Sequence, residues 1–120
     1  MLYDVTGRFG VGFSVDGMMV STSTTTKANA VIVDFGASAS ASAPTVAQYD
    51  MLGYAGSQIV SHPTVGTANM SAYQSGGTSV MLWSRYANNG DVNDAGIVLD
   101  GVSNVIWAIG SGNKYDPLSL

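Results

Sequence analysis

Residues 9–15 (FGVGFSV) alternate between large apolar and small side chains, and this alternation restricts the fold more than any other feature. Successive side chains of a β-strand point to opposite faces, so Phe9, Val11 and Phe13 would share one buried face. The same period of two recurs along the chain, whereas no stretch of about ten residues has the 3.6-residue period of an amphipathic helix. The sequence therefore predicts an all-β protein.

Short apolar segments bounded by turn-forming residues mark the predicted strands. Asp16-Gly17 is predicted to make a tight hairpin turn, with Met18-Met19-Val20 beginning the return strand. A second hairpin is predicted where residues 88–91 (NNGD) separate two apolar runs. About eight short strands are expected, and the nine candidate segments for them are residues 9–15, 18–20, 30–35, 46–54, 58–62, 70–73, 80–86, 97–99 and 105–109.

Many short strands without helices indicate an antiparallel β-sandwich of immunoglobulin-like architecture. A chain of 120 residues is long enough to build one hydrophobic core, so residues 1–120 are predicted to form a single domain. The inward positions of the predicted strands should supply that core. The residues expected to be buried are Phe9, Val11, Phe13, Val31, Val33, Leu82, Trp107 and Ile109.

The composition excludes several classes of function. Only four Lys and Arg residues are present and the net charge is −4, which argues against binding to nucleic acid. The absence of cysteine excludes disulfides and thiolate metal sites. No apolar run approaches the roughly 20 residues that a membrane-spanning helix needs. With one histidine, no cysteine and no Gly-x-Ser-x-Gly motif, the chain lacks a nucleophile–base pair, so we expect no catalysis.

Five short motifs occur in the order in which they occur in the DOMON family, and the chain resembles that family between Gly7 and Gly110. They are residues 9–14 (FGVGFS), the Met18-Met19 pair, residues 28–32 (ANAVI), residues 80–94 with an arginine and a Gly-Asp turn, and residues 106–110 (IWAIG). The resemblance implies an extracellular or cell-surface β-sandwich that binds haem b for electron transfer or recognises a sugar.

The resemblance also implies where a haem would bind. Met18 or Met19 corresponds to the methionine ligand of the iron, while Arg85 and Trp107 would lie beside the cofactor. The family's histidine ligand follows the Ile-Trp-Ala segment, where this chain has none, and its one histidine is His62. Arg85 has a second interpretation, as the structural partner of a buried acid such as Asp94 or Asp100.

Other residues suggest other ligands. Trp83 and Tyr86 are candidates for an aromatic platform that stacks on a sugar ring, although core packing is the default for a strand tryptophan. Asp91, Asn93 and Asp94 are spaced like calcium ligands, but a turn capped by its own side chains is the favoured interpretation.

A structural role is the alternative to ligand binding: the chain would be a cofactor-free subunit of an extracellular filament or wall. The likeness to the DOMON family begins after the family's opening strands and stops before the family's C-terminal end. We therefore expect that the chain is a piece of a longer one, or that it self-associates by pairing a strand with a neighbour. The hydroxyl-rich residues 21–26 (STSTTT) are a candidate edge for that pairing. Asn69-Met70-Ser71 is an acceptor for an N-linked glycan on Asn69.

Overall fold

Eight antiparallel strands form the structure, which is a computed structural model describing residues 2–3, 8–19, 27–35, 44–53, 58–61, 67–88, 90–91 and 94–110. Their bounds are β1 Leu2–Tyr3, β2 Phe9–Ser14, β3 Ala28–Asp34, β4 Thr45–Met51, β5 Ile59–Ser61, β6 Thr67–Ser75, β7 Thr78–Arg85 and β8 Asn104–Ile109. The predicted all-β fold is confirmed. In these ranges no helix is long and apolar enough to cross a bilayer.

The strands divide into two antiparallel sheets. One has three strands in the order β1-β7-β6, and the other has five in the order β5-β4-β3-β2-β8. Strand β2 lies between β3 and β8, with Val11 paired to Val31 on one side and to Trp107 on the other. Each sheet is a continuous ladder of antiparallel strands. The immunoglobulin-like arrangement of the strands stays a prediction.

The main core lies where side chains of both sheets meet. Its fully buried members include Phe9 and Val33 from the five-stranded sheet and Met81 from β7. Met70 and Ala72 of β6 pack against the same cluster. The alternating pattern of β2 therefore predicted its buried face correctly, because Phe9 and Val11 both point towards the other sheet.

The opposite face of the five-stranded sheet carries a second apolar cluster of Ala28, Ala30, Met51 and Ile106. Small residues lie on this face where β2 and β3 run side by side. Gly12 is paired with Ala30, and a Cβ atom at Gly12 would overlap the Asn29 carbonyl oxygen and lie 2.8 Å from the Cα atom of Ala30. Only glycine fits at position 12 without displacing the backbone of β3.

Both predicted hairpins are wrong. Ser14 of β2 pairs directly with Ala28 of β3, so the connection between them runs through residues 15–27 rather than through a two-residue turn. Met18 and Met19 are not in a strand, and Val20 and residues 21–26 lie outside the described residues. Residues 97–99 are not a strand either, although the Ile97 amide donates to the Ala87 carbonyl at 2.7 Å.

Within the described residues, a hairpin with a two-residue turn joins β6 to β7. Its turn is Gly76-Gly77, with φ angles of +57° and +82°, and Ser75 pairs with Thr78. Positive φ at both central residues is the mark of a type I′ turn, whose twist matches the twist of the two strands that it joins. This dipeptide was the local signal that the sequence analysis overlooked.

Three of the residues expected in the core are on the surface. Leu82, Trp107 and Ile109 are 52%, 61% and 40% exposed. Leu82 follows Met81, and the inward face of β7 carries Ser79, Met81 and Trp83 instead. Trp107 and Ile109 lie on the last strand of the five-stranded sheet, where the smaller sheet does not cover them.

Candidate functional site

A cluster of polar side chains lies buried between the two sheets, at the end where β7 finishes. Asn29 and Gln48 come from the five-stranded sheet, Thr67 and Arg85 are paired residues of β6 and β7, and Asp94 lies in the connection after β7. Asn29, Gln48, Thr67 and Asp94 are all less than one-tenth exposed. Polar groups withdrawn from water to this extent need partners, and here they bind one another.

Asp94 is the centre of the cluster. Its Oδ1 atom accepts a hydrogen bond from Asn29 Nδ2 at 2.5 Å and another from Gln48 Nε2 at 3.0 Å. Thr67 Oγ1 in turn donates to Gln48 Oε1 at 2.5 Å. The chain of bonds therefore links the five-stranded sheet, the three-stranded sheet and the connection after β7.

Arg85 provides the positive charge of the cluster. Its Nη2 atom lies 3.8 Å from Asp94 Oδ2 and donates to the Ala95 carbonyl at 3.0 Å. Its Nε atom donates to the Tyr86 carbonyl at 3.2 Å, and its guanidinium carbon lies 5.2 Å from the centre of the Phe13 ring. Burial lowers the pKa of Arg85, and the charge of Asp94 partly opposes that shift. Of the two acids proposed as its partner, the structure selects Asp94.

A small pocket opens beside this cluster. Phe13, Asn29, Gln48, Trp83 and Arg85 contribute to its lining, together with apolar residues of β2 and β3. Its volume of about 10 Å³ is enough for about one water molecule. Trp83 is half-buried and packs against the main core, so one indole serves both the core and the pocket wall.

The residues expected to hold a haem are not gathered at this pocket. Pockets for ligands of that class measure roughly 300–1,000 Å³, and the pocket beside Arg85 is far smaller. Met18 and Met19 are 56% and 37% exposed and do not line it. The Arg85 guanidinium is already occupied by Asp94 and two backbone carbonyls. His62 lies outside the described residues.

The other candidate residues lie apart from the pocket. Tyr86 follows the end of β7 and is 70% exposed, while Trp107 is paired with the pocket residue Val11 but lies on the outermost strand. Asn69 is exposed on β6 at a bulge, with φ of +56°, and its Nδ2 atom donates to Ser84 Oγ at 3.1 Å. The structure thus brings together Trp83 and Arg85 at the pocket, whereas neither Met18 nor Met19 lines it.

In the turn after β7 the structure describes Asp91 and Asp94. The Asp94 amide donates to the Asp91 carbonyl at 3.2 Å, and the Asp94 side chain is directed into the polar cluster. Asn93 lies outside the described residues.

Sequence analysis missed Asn29, Gln48 and Thr67 as members of the site. Asn29 and Gln48 occupy inward positions of β3 and β4, and Val31 pairs with Gln48 on that face. A polar residue at an inward position of a strand was the available signal, because burial forces such a residue to find partners.

Comparison of the chain with protein-family models, with curated proteins and with solved structures found no match in any of the three.

Proposed function

We propose that the protein is a non-catalytic, extracellular binding module of the DOMON type, and that its ligand is a neutral sugar. The observation that carries this proposal is the pocket beside Arg85, where amide and guanidinium groups adjoin the Trp83 indole. Small-molecule sites generally combine apolar and aromatic walls with a few fixed polar groups, and this pocket has both.

The chemistry of the lining suits a hydroxyl group. A sugar hydroxyl both donates and accepts hydrogen bonds. The side-chain amides of Asn29 and Gln48 each have two N–H groups and two oxygen lone pairs, of which the bonds to Asp94 and Thr67 use only part. A volume of about 10 Å³ admits one hydroxyl rather than a whole ring. The ring itself would remain at the mouth, where Trp83 supplies an aromatic surface.

Binding to a panel of neutral mono- and oligosaccharides tests this proposal, first on a glycan array and then by titration calorimetry. The full chain should bind at least one neutral glycan. Trp83→Phe, which keeps an aromatic ring in the core, and Gln48→Leu should each weaken that binding by about tenfold or more, equivalent to about 1.4 kcal/mol.

Tyr73→Ala is the matched control, because Tyr73 is an aromatic residue of β6 that is 54% exposed and does not line the pocket. Binding should be unchanged in this variant. Absence of glycan binding by the parent chain would overturn the proposal. A Soret absorption band that shifts on reduction, after incubation with haem b, would instead support the haem function implied by the family resemblance.

A further inference from the structure

Strand β8 ends the five-stranded sheet among the described strands, and it exposes an apolar stripe. Val105, Trp107 and Ile109 are 56%, 61% and 40% exposed. Register places them beside Phe13, Val11 and Phe9 on the face that forms the main core. The stripe therefore continues the apolar face of the sheet beyond the region that the smaller sheet covers.

The same residues direct their backbone groups away from β2. The Gly110 amide donates to the Arg8 carbonyl at 2.9 Å, and the register pairs Ile109 with Phe9. Backbone groups of successive strand residues point to opposite sides, so Ile106 and Ala108 face β2 as Gly110 does. The N–H and C=O groups of Val105, Trp107 and Ile109 therefore lie along the outer edge of β8.

Strand β8 has none of the features that protect sheet edges. The sequence of Asn104–Ile109 is NVIWAI, which contains no charged residue and no proline. Edge strands are normally blunted by charge, proline, bulges or short length. The three other outer strands of the two sheets have such features: β1 has two residues, β5 has three, and β6 is interrupted by the bulge between Ala68 and Ser71.

We propose that β8 pairs with β8 of a second copy of this chain. A two-fold axis perpendicular to the sheet makes the strands antiparallel and keeps the apolar stripes on the same face. If the axis passes at Trp107, then Trp107 pairs with its own copy and Val105 pairs with Ile109. All three residues of the stripe then form hydrogen bonds with the other copy through their outward N–H and C=O groups.

A second copy fits this edge better than a charged partner does. Self-pairing places apolar residues opposite apolar residues, and no like charges meet because β8 carries none. The result is a closed dimer with a continuous ten-stranded sheet, since each copy contributes a five-stranded sheet. This interaction does not depend on sugar binding, because the pocket lies between the sheets and its lining includes no residue of β8.

Single-cysteine cross-linking tests the pairing and its register, because the chain has no cysteine of its own. Paired residues have Cα atoms about 5.5 Å apart, a separation that a disulfide spans. Trp107→Cys should therefore form a disulfide-linked dimer under mild oxidation. Mixing Val105→Cys with Ile109→Cys should give a cross-linked heterodimer, whereas Leu82→Cys, on the middle strand of the smaller sheet, should remain uncross-linked.

Proline substitution tests which backbone groups face outwards. Val105→Pro removes an outward N–H and should raise the dimer dissociation constant by about tenfold or more while the domain stays folded. Ile106→Pro removes an N–H that bonds β2 and should destabilise the domain itself. Sedimentation equilibrium and far-UV circular dichroism separate the two effects. A parent chain that stays monomeric at high concentration, an uncross-linked Trp107→Cys, or growth into fibres would each overturn the proposal.

Discussion

Arg85, the last residue of β7, forms an ion pair with Asp94 of the connection that follows, with Nη2 3.8 Å from Oδ2. The second oxygen of Asp94 accepts hydrogen bonds from Asn29 and Gln48, so the carboxylate is held from two directions. Removing one member of a buried pair leaves the other charge without compensation, which costs more than the pair contributes. The connection after β7 is therefore anchored to both sheets through one side chain.

Replacing Asp94 tests that anchoring. Asp94→Ala should lower the free energy of unfolding by about 3 kcal/mol, because Arg85 loses its counter-charge and two buried amides lose their acceptor. Asp94→Asn should cost less, since one acceptor oxygen remains. Urea denaturation at neutral pH measures both. Asp100→Asn is the control: Asp100 is exposed and should change stability by no more than about 0.5 kcal/mol. Equal effects at positions 94 and 100 would contradict the anchoring role.

The aliphatic part of Arg85 should contribute separately from its charge. Arg85 lies over the Phe13 ring, and its side chain is only 8% exposed. Arg85→Met keeps most of the packing volume, whereas Arg85→Ala removes it, so the Ala variant should be less stable by about 1 kcal/mol or more. Thermal unfolding of the two variants makes the comparison. Negligible losses in both would show that the side chain does not pack.

Strand positions were predictable where apolar and small residues alternate, as in β2, and where apolar and β-branched residues follow one another, as in β3 and β8. β2, β3 and β8 lie within or near their predicted segments, and Phe9, Val11, Val31 and Val33 are buried as expected. Alternation identifies which side chains share a face, but not how far the opposite sheet extends over that face. Trp107 illustrates the difference, because it shares a face with buried Val11 and yet is 61% exposed.

The polar cluster was only partly predictable. Arg85 and its acidic partner stood out, because charged residues are rare in this chain. Asn29 and Gln48 did not, because their role depends on which strands become neighbours and on where the connection after β7 returns. Those contacts join residues 46 and 65 positions apart, a separation over which local sequence carries no information about pairing.

Gly12 is expected to be the glycine least tolerant of substitution within a strand. A methyl group there would collide with the backbone of β3, which cannot move without breaking its ladder. Gly12→Ala should lower the unfolding free energy by about 2 kcal/mol or more. Gly96→Ala is the control, since the nearest atom to its added Cβ would be the Ala87 carbonyl oxygen at 3.8 Å. Chemical denaturation that finds the two variants equally stable would contradict the close approach of β2 and β3.

The carboxyl group of Asp16 should make the stability of the fold depend on pH in the acidic range. The Met18 amide donates to Asp16 Oδ1 at 2.9 Å, as does the Ser14 hydroxyl, and these bonds lower the pKa of Asp16 below its usual 3.8. A carboxyl whose pKa is lower in the folded than in the unfolded state stabilises the fold at pH values above its unfolded-state pKa. That stabilisation is lost as the pH falls through its folded-state pKa. Asp16→Asn should therefore weaken the dependence of the melting temperature on pH below about pH 4. An unchanged acid profile in this variant would count against these bonds.

Asn69 should carry a glycan when the chain passes through a eukaryotic secretory pathway. The residue is exposed at the bulge of β6, and asparagine is among the few residues that tolerate its φ of +56°. Intact-mass spectrometry before and after treatment with an N-glycosidase measures occupancy. Asn69→Gln and Ser71→Ala should both abolish the mass shift, and Ser71→Ala does so without changing the residue that adopts the positive φ. The two variants should therefore differ in stability, with Asn69→Gln the weaker by about 1 kcal/mol. A secreted parent chain without any enzyme-sensitive mass would show that the acceptor is unused.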